Sequence, residues 1–363
     1  MTDFFSEATA GFLEPIVPFL NDPEISEVMV NGHDEIYVEK KGKLIRTDVR
    51  FEDEEELMAA IRRIAQMVGK RIDEKNLIMD ARLPDGSRVH AVIPPTAKKG
   101  IYLTIRKFGR GFLSMKQLVE GGAMSIGMAK FLNLCVALSK NMIVSGGTSS
   151  GKTTLLNVVS SLIPSDQRIV VIEDASELNL QQEHILPMET RAGDQDGKGA
   201  ITIRDLVRAS LRMRPDRIVI GEVRGAESMD LLQAMNTGHA GSLATIHANT
   251  PKGALDRVET LAMMSDVELP WRALRSQVAS AIDMVIQVNR LQDGTRKITH
   301  ISEVGDLKED GQYDVKDIFI YNIKSIDTKG KVTGEHIATG NIPSFIAEAK
   351  MQGYLIDESL FKP

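Results

Sequence analysis

The chain has a single cysteine among its 363 residues, so it can form no internal disulfide. That residue, Cys135, falls in Phe131-Leu132-Asn133-Leu134-Cys135-Val136-Ala137-Leu138, where helical spacing puts the thiol on an apolar face, a packing role rather than a catalytic one. With no other cysteine and no third histidine near His239 and His247, a zinc site there would lack ligands. Long apolar runs are missing as well: none approaches the roughly 20 residues that cross a bilayer. The N-terminus, with Asp3, Glu7 and Glu14, lacks a basic segment followed by an apolar stretch, so no secretory signal is expected. A cytoplasmic protein fits, and docking on a membrane partner stays open. There is no excess of positive charge: 44 Lys and Arg stand against 50 Asp and Glu, a formal charge of -6. Without that excess, and without an aromatic and basic stripe on which bases could stack, no nucleic-acid partner is expected.

What is present describes an ordinary globular protein, 42% hydrophobic and 26% charged, and too long for one core. Two domains are expected. Residues 1–108 read as a smaller α+β domain: strands at 25–30 and 36–39 across the Asn31-Gly32 turn, and a helix at 54–68 with Leu57, Ile61, Ile64 and Val68 on one face. Further strands follow at 88–93 and 101–106. In the last of these a period of two buries Ile101, Leu103 and Ile105 and turns Arg106 the other way. Gly109-Arg110-Gly111 begins a linker region, 109–130. From 131 to 363 strands and helices alternate. Strands are expected at 141–145, 168–172, 217–220 and 242–246, and helices at 152–162 and 203–213, the latter opened by Thr202 and Asp205 as a capping pair. This is an α/β layer fold with a largely parallel sheet. Asp293-Gly294 marks a hairpin between 285–292 and 295–301, and beyond about 306 the pattern is polar and turn-rich.

The chemistry gathers in the second domain. Gly146-Gly147-Thr148-Ser149-Ser150-Gly151-Lys152-Thr153 satisfies G-x-x-x-x-G-K-[ST] between an apolar strand and an amphipathic helix, the setting that makes this pattern specific. Its glycines let successive backbone N–H groups turn toward one anion at a helix N-terminus. Lys152 is then expected at the β- and γ-phosphates and the Thr153 hydroxyl on magnesium, with Thr154 next in the helix. Acids at neighbouring strand ends complete such a site, and Glu173-Asp174 and Glu222 both qualify. One would activate water and the other would hold magnesium through its shell. His239 and His247, eight positions apart, could sense phosphate or serve structure alone. Arg191, Arg204, Arg208, Arg212, Arg214 and Arg224, with Arg82, Arg88 and Arg106 in the first domain, supply candidate phosphate-neutralising fingers among arginines that otherwise pair with acids or meet solvent. A GTPase is disfavoured by the lack of N-K-x-D, and Asp194-Gln195-Asp196-Gly197 matches D-x-x-G only by chance. A helicase is disfavoured by the charge balance, and a non-hydrolysing scaffold by the presence of both glutamates.

Taken in order, these segments resemble the type II/IV secretion ATPase superfamily, most closely its CpaF/TadA-type pilus-assembly branch. The resemblance rests on 146–153, on Ile172-Glu173-Asp174-Ala175-Ser176-Glu177-Leu178 (aspartate box), on 214–225 with Glu222 (Walker B) and on 237–250 (histidine box). Residues 22–32 resemble the start of the family's nucleotide-contacting N-terminal domain. The resemblance implies a RecA-like ATPase domain with a C-terminal subdomain, Glu173 as catalytic base, Glu222 as Walker B acid and His247 as γ-phosphate sensor. It further implies ATP and Mg2+, a homohexamer, cytoplasmic residence and docking on an inner-membrane platform protein. Gly221 stands where many P-loop enzymes place an aspartate, as is common in this family, and Ser149 replaces a glycine usual in the branch.

Overall fold

The computed structural model describes residues 13–40, 42–107, 113–191, 193 and 198–363. The linker candidate Gly109-Arg110-Gly111 and the Asp194 to Gly197 segment lie outside them. The chain divides into two compact units, 1–112 and 113–363.

In the first unit a short helix, α1 (Val17–Asn21), precedes strands β1 (Ile25–Asn31), β2 (Ile36–Lys40) and β3 (Lys43–Arg46). Helix α2 (Glu54–Met67) follows, then β4 (Ile78–Arg82), β5 (Arg88–Val92) and β6 (Tyr102–Arg106). The strands form one sheet in the order β3-β2-β1-β6-β5-β4, every pair antiparallel. Asp53 caps α2 by accepting the Glu56 N–H at 2.8 Å. The helix then lays Leu57, Ile61 and Ile64 against one sheet face, which supplies Val28, Val89, Leu103 and Ile105. Arg106 is exposed on the other face, as the period of two requires.

The second unit begins with helices α3 (Met115–Glu120) and α4 (Ile126–Ala137), which pack on its core through Met128, Phe131 and Leu132. Residues 113–130, expected to belong to a linker, are therefore folded into this unit: the capping box of Ser114 with Gln117 starts a helix where composition alone suggested a spacer. Then come β7 (Met142–Gly146), α5 (Lys152–Ser160), β8 (Ile169–Glu173), β9 (Ile185–Glu189), α6 (Ile203–Ser210), β10 (Arg217–Ile220), α7 (Glu227–Asn236), β11 (Leu243–Ile246), α8 (Pro251–Ala262), α9 (Trp271–Ala281) and β12 (Met284–Arg290). The chain closes with β13 (Arg296–Leu307), β14 (Tyr313–Ile326), β15 (Val332–Ala338) and α10 (Ile346–Met351).

All these strands join one sheet, ordered β15-β14-β13-β12-β7-β11-β10-β8-β9. From β12 to β9 neighbours run parallel, and β12 to β15 are antiparallel. The central strands β7, β8, β10 and β11 are buried throughout, with helices on both faces. One core packs α4, α5 and the chain end, where Phe131, Phe319 and Phe361 meet with centroids 5.6 to 6.3 Å apart. The other packs α6 to α9. Five strands escaped the sequence reading, β3, β4, β9, β14 and β15, because few of their residues are buried and the polar content masked any alternation.

Buried Arg217 ties the amino ends of the strands together. Its Nε donates to Gln167 Oε1 at 2.6 Å and its Nη2 to the Val136 carbonyl at 3.1 Å. Gly241 lies so close that an added Cβ would sit 1.2 Å from Arg217 Nη1, at φ +79°. Gly241→Ala is expected to destabilise the protein by about 3 kcal/mol. Gly238→Ala, at φ +101° with open space around it, costs about 1 kcal/mol. Equal losses in denaturant unfolding would show that Arg217 yields to the methyl group.

Candidate functional site

In a parallel sheet the carboxyl ends of neighbouring strands open onto one crevice, and the loops after β7, β11, β10 and β8 carry the residues singled out above. After β7 the chain turns through Gly146, Gly147, Thr148, Ser149, Ser150 and Gly151 into α5. An added Cβ on Gly146 would lie 2.3 Å from the Val288 carbonyl, so only glycine fits there. Ser149 and Gly151 both take positive φ, 57° and 100°, with no positive φ at Ser150 between them, a pattern suited to a nest of N–H groups at the helix start. Inside it the Ser150 hydroxyl is buried and makes no hydrogen bond. An orphaned donor, turned amides and the positive end of α5 all suit a phosphate.

Lys152 is 8% exposed, and its Nζ donates to the Gly147 carbonyl at 2.9 Å. The same ammonium lies 3.3 Å from His247 Nδ1, just past the end of β11. His247 Nε2 is 2.8 Å from Glu222 Oε1, and Arg224 holds the other Glu222 oxygen at 2.6 Å while reaching Asp174 Oδ2 at 2.9 Å. Lys152, His247, Glu222, Arg224 and Asp174 thus form one contact chain across four strand ends. Burial and the positive charge of Lys152 hold the His247 pKa below the usual range, outweighing Glu222. The ring is therefore neutral, with Nε2–H donating to Glu222 and Nδ1 accepting from Lys152.

Glu173 ends β8, three strands from β7, a lateral distance of about 14 Å. It is 4% exposed, and its Oε1 accepts the N–H groups of Glu177 and Leu178 at 2.9 and 3.0 Å. A Cβ on Gly221 would lie 3.0 Å from Glu173 Cγ, so a larger residue here would press on the Glu173 side chain. Thr153 is half-buried in the first turn of α5, and Thr154 is exposed. Among the described residues no three His, Cys, Asp or Glu side chains converge as a metal cage.

Other expected residues fall elsewhere. His239 precedes β11 while His247 follows it, so the strand separates them by about 13 Å, and His239 sits at the amino edge of the sheet with Arg217. Arg191 is exposed beyond the edge strand β9, bridged to Ile201, four strands from β7. Arg204 and Arg208 both bind Asp230. In the first unit the register places Arg82 opposite Arg88 and Arg88 opposite Arg106, a row of three arginines ended by Glu27 on β1. Arg296 went unnoticed in the sequence: from β13 its Nε donates to the Ser149 carbonyl at 3.0 Å, a contact no local pattern announces.

The family model for the type II/IV secretion system protein matches residues 10–333. The chain belongs to that family. Among family relatives, a Mycobacterium tuberculosis protein named for conjugal transfer is 37% identical over 299 residues, 81% of this chain and 84% of the relative. The type IV secretion system protein VirB11 of Bartonella henselae is 32% identical, covering 80% of this chain and 91% of VirB11. PtlH of Bordetella pertussis, also a type IV secretion system protein, is 33% identical, covering 81% and 95%. Solved structures share the fold at lower identity: the pilus retraction motor PilT with bound ADP (19% identical, TM-score 0.56, 93% of this chain and 86% of that one) and the Yersinia pseudotuberculosis ATPase DotB (20%, 0.58, 82% and 80%). The fold of this secretion-family chain is thus RecA-like α/β preceded by a smaller domain. No helix among the described residues is long and apolar enough to cross a membrane.

The neutral His247 has a consequence for stability. Its folded pKa is depressed, so below about pH 6.5 the unfolded chain binds the extra proton and stability falls with pH, whereas above that value the histidine contributes no slope. His247→Gln is expected to flatten the unfolding profile between pH 7 and pH 5. Parallel profiles for variant and wild type would show that the ring titrates alike in both states.

Proposed function

We propose that this protein hydrolyses ATP with Mg2+ as a subunit of a homohexameric ring. In this reading the ring powers Flp/Tad-type pilus assembly or protein secretion, from the cytoplasmic side of an inner-membrane platform protein and without nucleic acid as substrate. The observation that carries the reading is the contact chain from Lys152 through His247 to Glu222, anchored beside a nest of N–H groups whose buried Ser150 hydroxyl has no partner. ATPase and secretion-system names among the relatives and structural neighbours support it.

In this proposal the backbone N–H groups of 146–153 hold the β- and γ-phosphates, and Lys152 leaves the Gly147 carbonyl to bind them. Thr153 and Glu222 are the residues that would hold Mg2+, an ion that usually takes few protein ligands. When bound, that ion neutralises charge on the phosphates. His247, held by Glu222 and next to Lys152, is the γ-phosphate sensor of this reading, and Glu173 orients and deprotonates the attacking water. Arg106 is assigned in this reading to neutralise charge on the γ-phosphate, and losing that interaction on hydrolysis would bias the chain between two conformations. Arg191 and His239, remote from Lys152 within one chain, serve a neighbouring subunit's pocket in the ring.

Two substitutions separate binding from chemistry. Lys152→Ala is expected to abolish turnover and weaken ATP binding, while Glu173→Gln keeps binding and lowers kcat by about 100-fold or more. Loss of binding in Glu173→Gln, measured by titration with labelled nucleotide, would make this residue a loop anchor through Glu177 and Leu178.

Arg106→Ala is expected to leave ADP affinity within about twofold and lower kcat about tenfold or more. It should also shrink the change in domain spacing between ATP-analogue and ADP states, read with spectroscopic distance labels. Wild-type turnover with an undiminished spacing change would dismiss the role.

A further inference from the structure

Resting on the reading of 146–153 as a phosphate loop, we propose that Arg296 is a positioning residue of that loop, clamping Ser149 in the left-handed conformation the cradle requires. Only three non-glycine residues among those described have positive φ, and Ser149 is one of them, at 57°. A serine there is strained unless something holds it. Arg296 supplies the hold, with its Nε donating to the Ser149 carbonyl at 3.0 Å. Its aliphatic arm runs along the loop, so that a Cβ on Gly151 would lie 3.3 Å from Arg296 Cδ.

The hairpin that carries Arg296 grips the loop at its other end as well. The Val288 carbonyl of β12 fills the space a side chain on Gly146 would need. The hairpin turn is itself fixed, since Asp293 Oδ1 accepts the Thr295 N–H at 2.9 Å and Gly294 takes φ +83°. In a trans peptide the carbonyl and the next N–H point opposite ways. Turning the Ser149 carbonyl toward Arg296 therefore turns the Ser150 N–H into the cradle, where it makes only a long 3.4 Å bond to the Gly147 carbonyl. An incoming phosphate oxygen can displace so weak a bond. The clamp thus prepares one N–H donor before the ligand arrives.

If the clamp acts through the backbone of residue 149, a glycine there removes the need for it. The experiment titrates Mg2+ and fluorescently labelled ADP into the full chain and into Arg296→Ala, Ser149→Gly and the double variant, with unfolding temperatures measured in parallel. Arg296→Ala is expected to bind about tenfold more weakly. Ser149→Gly serves as the reference background, and the double variant is expected to bind within about threefold of Ser149→Gly. Arg296→Met, which keeps the arm beside Gly151, is expected to show the same loss and serves if the alanine variant fails to fold. Unchanged affinity in Arg296→Ala, or a tenfold loss that persists in the Ser149→Gly background, would overturn the clamp. Failure of the wild type to bind labelled ADP would instead overturn the phosphate-loop reading on which the clamp rests.

Discussion

Backbone N–H groups bind an anion well only when several point the same way, and a chain of L-residues resists the alternation of right- and left-handed conformations that this needs. Much of the second unit answers that requirement. Glycine relieves it at positions 146 and 151, β7 and α5 fix the two ends of the turn, and the β12–β13 hairpin braces it from the side. Ser149 keeps a side chain where glycine is easier, and the structure compensates with a hydrogen bond from a strand far along the chain. The loop is therefore held in shape by protein contacts.

The second constraint is charge. Lys152 is nearly buried, and a lone buried ammonium costs several kcal/mol unless something partners it. Among its contacts are the Gly147 carbonyl and the His247 ring, and Glu222 stands one step further on, behind His247 and shared with Arg224. Gly221 leaves room beside it for the Glu173 side chain.

The parallel order of β12, β7, β11, β10, β8 and β9 makes both arrangements possible, since it brings loops from distant parts of the sequence to one edge. The same order separates residues that sequence proximity suggested would cooperate. His239 and His247 sit at opposite ends of β11, and Arg191 lies past the outermost strand. Within one chain these residues lie away from Lys152.

The sequence by itself determined the glycine-rich turn between β7 and α5, the acids at the ends of β8 and β10, the outward direction of Arg106 and the α/β character of the second unit. Each of these depends on a local period, a glycine pattern or a turn signal spanning a dozen residues or fewer. It missed strands β3, β4, β9, β14 and β15, where few residues are buried and no clear alternation shows, and it read residues 113–130 as part of a linker although a capping box starts a helix there. Only the tertiary structure decided that His247 joins Lys152 to Glu222, that His239 does not share that pocket, that Arg82, Arg88 and Arg106 form a row, and that Arg296 holds Ser149. These facts depend on strand order and register, which arise from the packing of whole faces, and no short window of sequence encodes which strands become neighbours.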